Sequence, residues 1–165
     1  MLVSRRHILI LFFILACNFK TNSLADEELD GSETLARVLK ESRLPHDETD
    51  HFFVAEVKMP TGFVQSVFVK KEAHVLGDVP FVEITAIGWQ WEEATEFNRQ
   101  NANWLLDASA KTKVGGWQSL LFEDKEAIAA EFKATIPLDS NASTFKAVIK
   151  GVASSAFELH DIMDR

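Results

Sequence analysis

The hydrophobic pattern divides the chain into segments of different period. Leu35, Val38 and Leu39 recur at helical spacing behind Ser32, which can cap a first helix that Pro45 ends. His46 to Asp50 then read as a loop. From Phe53, the residues Ala55, Val57 and Met59 alternate with Val54, Glu56 and Lys58, the two-residue period of a half-buried strand. Pro60-Thr61-Gly62 supplies turn chemistry and Phe63 to Val69 alternates again, so the two runs predict a hairpin. Phe81 to Ile87 gives a third strand, closed by Gly88.

The period then changes. Ala94, Phe97, Asn101, Trp104, Leu105 and Ala108 share one helical face, which predicts a second helix over 92–108 with Glu92 and Glu93 at its positive end. Lys113 to Phe122 and Ala127 to Ile136 read as two more strands, joined by the acidic turn EDKE. In the latter strand Ile128, Ala130, Phe132, Ala134 and Ile136 oppose Ala129, Glu131, Lys133 and Thr135. The stripe Phe145, Val148, Ile149, Val152, Ala156, Leu159 and Met163 predicts a third helix. The order is α-β-β-β-α-β-β-α, an α+β fold with an antiparallel five-stranded sheet and three helices.

The first residues change the picture of where this domain works. Arg5 and Arg6 precede the apolar run Ile8 to Ala16, the n-region and h-region of a signal peptide. As a helix that run reaches only about 14 Å, short of the ~30 Å hydrocarbon core. Ser23 and Ala25 offer small residues for cleavage after Ala25, giving a signal peptide over 1–25, a flexible acidic lead over 26–32 and a domain over 33–165. Ile14-Leu15-Ala16-Cys17 offers the alternative, a bacterial lipobox with Cys17 as the lipidated residue; Leu15 is bulkier than that pattern usually has. The expected location is periplasmic or secreted, or the envelope if Cys17 carries a lipid anchor.

Charge then narrows the partners. The whole chain has a formal net charge of −8, and loss of Arg5, Arg6 and Lys20 leaves 14 basic against 25 acidic side chains, a net charge of −11. Nucleic acid and anionic membrane surfaces are disfavoured, since a phosphate backbone requires a basic face. With Cys17 removed no cysteine remains, so one hydrophobic core must hold the domain without disulfides.

No phosphate loop, nucleophile elbow or paired-cysteine motif is present, and Gly115-Gly116 lacks the lysine or third glycine of a phosphate cradle. No cofactor and no catalytic residue is expected. His46, Asp50 and His51 are metal-ligand types and support an alternative reading as a metal-binding enzyme or sensor. Their loop spacing, however, presets no ligand geometry. The tryptophans Trp89, Trp91, Trp104 and Trp117 are the stronger candidates, because such side chains fill cores and also dominate protein interfaces. Trp89 and Trp91 flank Gln90 where strand is expected to become helix, so one of them is expected to be exposed. Thirteen phenylalanines and no tyrosine suit an apolar interior or a dimer face.

FVEITAIGW, a helix containing FNRQNANW, then GGWQSLLFEDKEAIAAEFKATIPLD and a terminal amphipathic helix together resemble the YbjN-like family of the type III secretion chaperone-like fold. The resemblance covers roughly residues 33 to 163. Asn101 or Asn103 matches the family's helix asparagine, and Ile136-Pro137-Leu138-Asp139 its strand exit. It implies a five-stranded antiparallel sheet with helices packed on it, a homodimer, and a non-catalytic role in binding a protein or peptide client. The signal sequence departs from cytosolic secretion chaperones and points to an exported relative. A structural envelope lipoprotein is the remaining alternative.

Overall fold

The computed structural model describes residues 28–122 and 126–164. The expected signal peptide, Cys17, the expected cleavage site after Ala25 and most of the EDKE turn lie outside the described residues. The elements are β1 (Glu28–Asp30), α1 (Ser32–Ser42), β2 (His46–Glu48), β3 (Phe52–Lys58), β4 (Val64–Lys70), β5 (Glu72–Leu76) and β6 (Val79–Trp91). A 3-10 turn (Ala94–Glu96) then leads to α2 (Arg99–Lys111), β7 (Gly116–Phe122), β8 (Ala127–Pro137) and α3 (Ala142–Met163).

The α+β class and the three helices are as expected, and every strand pairing among the described residues is antiparallel. The strand count is not: among the described residues the sheet has eight strands rather than five, in the chain order β-α-β-β-β-β-β-α-β-β-α. Two additions, β1 and β2, are only three residues long, too short for an alternation to register. The third, β5, follows β4 after Lys71, and both pair with the same edge of β6, so they act as one bent strand. Across the sheet the order is β1-β5-β6-β4-β3-β2, with β8 on the other edge of β6 and β7 beyond it. The acidic lead thus contributes β1, which pairs with β5.

One face of the sheet carries the core. Phe53 and Ala55 of β3, Val67 and Val69 of β4, Val82 and Ile84 of β6, and Phe132 and Ala134 of β8 are buried against α3. The helix contributes Phe145, Ile149, Val152, Ala153 and Ala156, and α1 packs on it through Leu35, Val38 and Leu39. Fully burying such side chains contributes about 1.5–3 kcal/mol each. The N-cap of α1 is Gly31 rather than Ser32; Asp30 Oδ1 accepts from the Ser32 backbone N–H at 2.9 Å. No helix among the described residues is long and apolar enough to cross a membrane.

Glu131 departs from the expected alternation of β8. Ala129 is fully buried and Glu131 is only 9% exposed, although both stand on the face expected to point outward. Gln118 Nε2 donates to Glu131 Oε2, while Lys133 pairs with Glu83 nearby. Burial pushes the Glu131 carboxyl above its usual value near 4.5, against the hydrogen bonds from Gln118 and Thr85 and the charge of Lys133; Glu83 pushes the same way as burial.

A raised carboxyl pKa means the folded state holds its proton longer, so stability falls as pH rises through the ordinary value to the raised one. Glu131→Gln should remove that slope. The variant is expected to match the wild-type urea midpoint at pH near 4 and to exceed it at neutral pH. Equal midpoints at both pH values would contradict this.

Candidate functional site

A bulge in β6 assembles the site. Up to Ile87 the even-numbered residues of this strand face the helices: Val82, Ile84 and Ala86 are buried there. The register shifts between Ile87 and Trp89, with Ile87 opposite Glu131 and Trp89 opposite Ala130. The extra residue, Gly88, changes the parity, and Trp89 and Trp91 come to the helix side. Sequence reasoning ended this strand at Gly88 and expected a helix from 92; the strand instead runs to Trp91, and α2 starts at Arg99.

The start of α2 is set by a reciprocal cap. Asn98 Oδ1 accepts from the Gln100 and Asn101 backbone N–H groups at 2.8 and 3.2 Å, and Asn101 Oδ1 accepts from the Asn98 N–H at 3.0 Å. Phe97 precedes it, edge-on to Trp91 with centroids 5.0 Å apart. The cap turns α2 so that Trp104 and Leu105 approach the last turns of α3.

Between these elements lies an open groove of about 300 Å³. Buried Trp91, Leu105 and Leu159 line it together with the more accessible Trp104, Ile162 and Met163. Asn98, Gln100 and Asn101 supply its polar lining. Among the described residues no carboxylate, cation, histidine, hydroxyl or thiol side chain lines it. The groove can therefore take up an apolar side chain and offer amides to a passing backbone.

The four tryptophans do converge, in one cluster with Phe97, Leu105, Ile128, Leu159 and Met163. Their roles differ. Contrary to expectation neither of the pair flanking Gln90 is exposed, because the bulge turns both toward the helices: Trp91 is 6% exposed, and Trp89 is half-buried beside the His160 ring at 5.8 Å. Trp117 is wedged between Trp104, at 6.0 Å, and Phe132, at 5.3 Å. The sequence pattern already placed Leu105, Leu159 and Met163 on apolar stripes; Asn98 went unread, and the spacing Asn98-x-x-Asn101 was its available signal.

The metal-ligand types are placed elsewhere. His46 lies on β2, its Nδ1 2.8 Å from the Leu44 carbonyl oxygen and its ring edge-on to Phe53. Asp50 and His51 are exposed and border a second, polar groove with Asp30, Lys71 and Glu72. Among the described residues no group of three or more histidine, cysteine, aspartate or glutamate side chains is arranged to hold a metal ion. His46, Asp50 and His51 therefore do not form such a centre here.

No family model matches the chain, and neither does any curated protein or solved structure.

Proposed function

We propose that this chain is an exported, non-catalytic protein-binding domain of the YbjN-like type, which takes an apolar side chain of a partner protein into the groove between α2 and α3. The observation that carries the reading is the lining itself: among the described residues it holds apolar and amide groups only, with Trp104 half-buried and Trp91 buried. Such a lining supports burial and backbone recognition, and offers no acid, base or nucleophile. Export is supported by Arg5 and Arg6 ahead of the apolar run from Ile8 to Ala16.

Charge selects the partner. Glu92, Glu93, Glu96, Asp107, Glu158 and Asp164 are exposed on or beside the elements that line the groove, against Arg99, Lys111 and Lys150, an excess of acid. A partner segment with an apolar anchor flanked by lysine or arginine is complementary to this surface. Calorimetry with short peptides having a central Leu, Met or Phe and lysine flanks should show saturable binding, weaker in high salt and weaker still with glutamate flanks. Trp104→Ala should weaken it by tenfold or more, the scale of an interface hot spot of about 2 kcal/mol, with the unfolding midpoint little changed. No binding by any of these peptides, or equal binding by the variant, sinks the proposal.

A further inference from the structure

The outer edge of β7 leads beyond the groove. β7 reads GWQSLLF, seven residues without a charge or a proline, and among the described residues it pairs with β8 on one side only. Sheet edges are usually blunted by charges, proline, bulges or short length. β1 and β2 follow that rule, each being three residues long and carrying two acidic residues. β7 does not.

The direction of its backbone groups can be read from one bond. The Trp117 N–H donates to Ser109 Oγ at 2.7 Å, so Trp117 turns its backbone away from β8. Backbone groups alternate along an antiparallel strand, so Ser119 and Leu121 also present N–H and C=O outward, while Gln118 and Leu120 bond to β8. No bond to the outward groups of Ser119 or Leu121 is formed among the described residues. The Ser119 side chain is exposed and that of Leu121 is 49% exposed, so α2 does not cover this stretch.

We infer that this edge pairs antiparallel with the β7 edge of a second copy of the chain, in the register that sets Leu120 opposite Leu120. In that register Ser119 of each copy exchanges two hydrogen bonds with Leu121 of the other, and the four bonds consume all the free outward groups of both residues. The bond between Trp117 and Ser109 is left intact. Gln118 faces Phe122, so no like charges oppose each other across the seam. The flanks are complementary: each chain enters β7 past exposed Lys111 and Lys113 and enters β8 past exposed Glu126. The antiparallel arrangement brings the basic approach of one copy to the acidic exit of the other. For a chain of net charge −8, this uncharged strand with opposite-sign flanks is a surface on which two copies meet without repulsion.

The register makes a covalent test available. Opposed residues of a non-hydrogen-bonded pair have Cα atoms about 4.5 Å apart, inside the roughly 4.4–6.8 Å range of disulfides. The full chain carrying Cys17→Ser and Leu120→Cys, so that position 120 holds the only thiol, should oxidise mostly to a disulfide dimer. The same chain with Leu76→Cys, at a site 74% exposed and away from β7, should not. Ser119→Pro removes only an outward N–H and should make the protein monomeric by light scattering, with its circular dichroism unchanged. A wild-type chain that is monomeric at all concentrations tested overturns the inference, and leaves the edge to a strand from another protein. So does equal cross-linking from positions 120 and 76, or a Ser119→Pro protein that remains a folded dimer.

Discussion

Replacing Phe132 with alanine is expected to lower stability by about 3–5 kcal/mol, the scale of removing a buried aromatic ring. Phe132 is 2% exposed in the middle of β8, a strand paired on both sides, so the sheet can hardly collapse to fill the space. Its ring meets Trp117 edge-on at 5.3 Å, and Trp117 packs on the main core while also meeting Trp104 at 6.0 Å. The loss should therefore reach the groove. Urea denaturation should give the full decrease, and the melting temperature should fall by roughly 2–4 °C for each kcal/mol. At temperatures where the variant is folded, its tryptophan emission should shift to the red as Trp117 and Trp104 gain water. Phe132→Leu, which keeps most of the volume, should cost less than half as much. A loss below about 1 kcal/mol for the alanine variant would show that β8 tolerates the cavity and that Trp117 does not depend on it.

What could be read from the sequence divides along the reach of each signal. The stripe of α3 and the two hairpins are local periodicities, and each element stands where its pattern puts it, within a few residues. The short strands have no such signal. β1 and β2 exist because an unsatisfied edge of β5 or β3 accepts them, which is a property of their neighbours. Gly88 is the instructive error. A glycine at the end of an alternating run fits a strand end or a bulge equally well, and only the pairing with β8 decides. Glu131 looked outward because it is charged and alternates with Phe132; in the sheet it is buried, with its carboxylate bonded to Gln118 on β7 and Thr85 on β6, partners that no local pattern shows. The aromatic lining of the groove, Trp91 and Trp104, was visible among the four tryptophans, whereas the groove itself needs α2 and α3 to converge, and no local pattern encodes that angle.

Gly88→Val should be nearly as damaging as the loss of Phe132, for the opposite reason. A Cβ at position 88 would stand 2.7 and 2.9 Å from two ring carbons of Trp117, and 3.0 Å from the Ala156 carbonyl oxygen. The indole is wedged against Phe132 and Trp104, and the carbonyl belongs to the middle of α3, so neither can withdraw freely. Overpacking of this kind costs about 1–3 kcal/mol, and the branched side chain puts valine at the upper end, above Gly88→Ala. The effect on binding should exceed the effect on folding. Gly88 is the bulge residue that turns Trp89 and Trp91 toward the helices, and a displaced Trp117 pushes on Trp104 at the groove. The discriminating measurement is a double-mutant cycle with Trp117→Ala. If the clash with the indole is the cause, Gly88→Val should cost markedly less in the Trp117→Ala background, a coupling of more than about 0.5 kcal/mol between contacting residues. Additive losses would place the strain at the Ala156 carbonyl instead, and would mean that the small residue serves the approach of α3 to the sheet rather than the seat of Trp117.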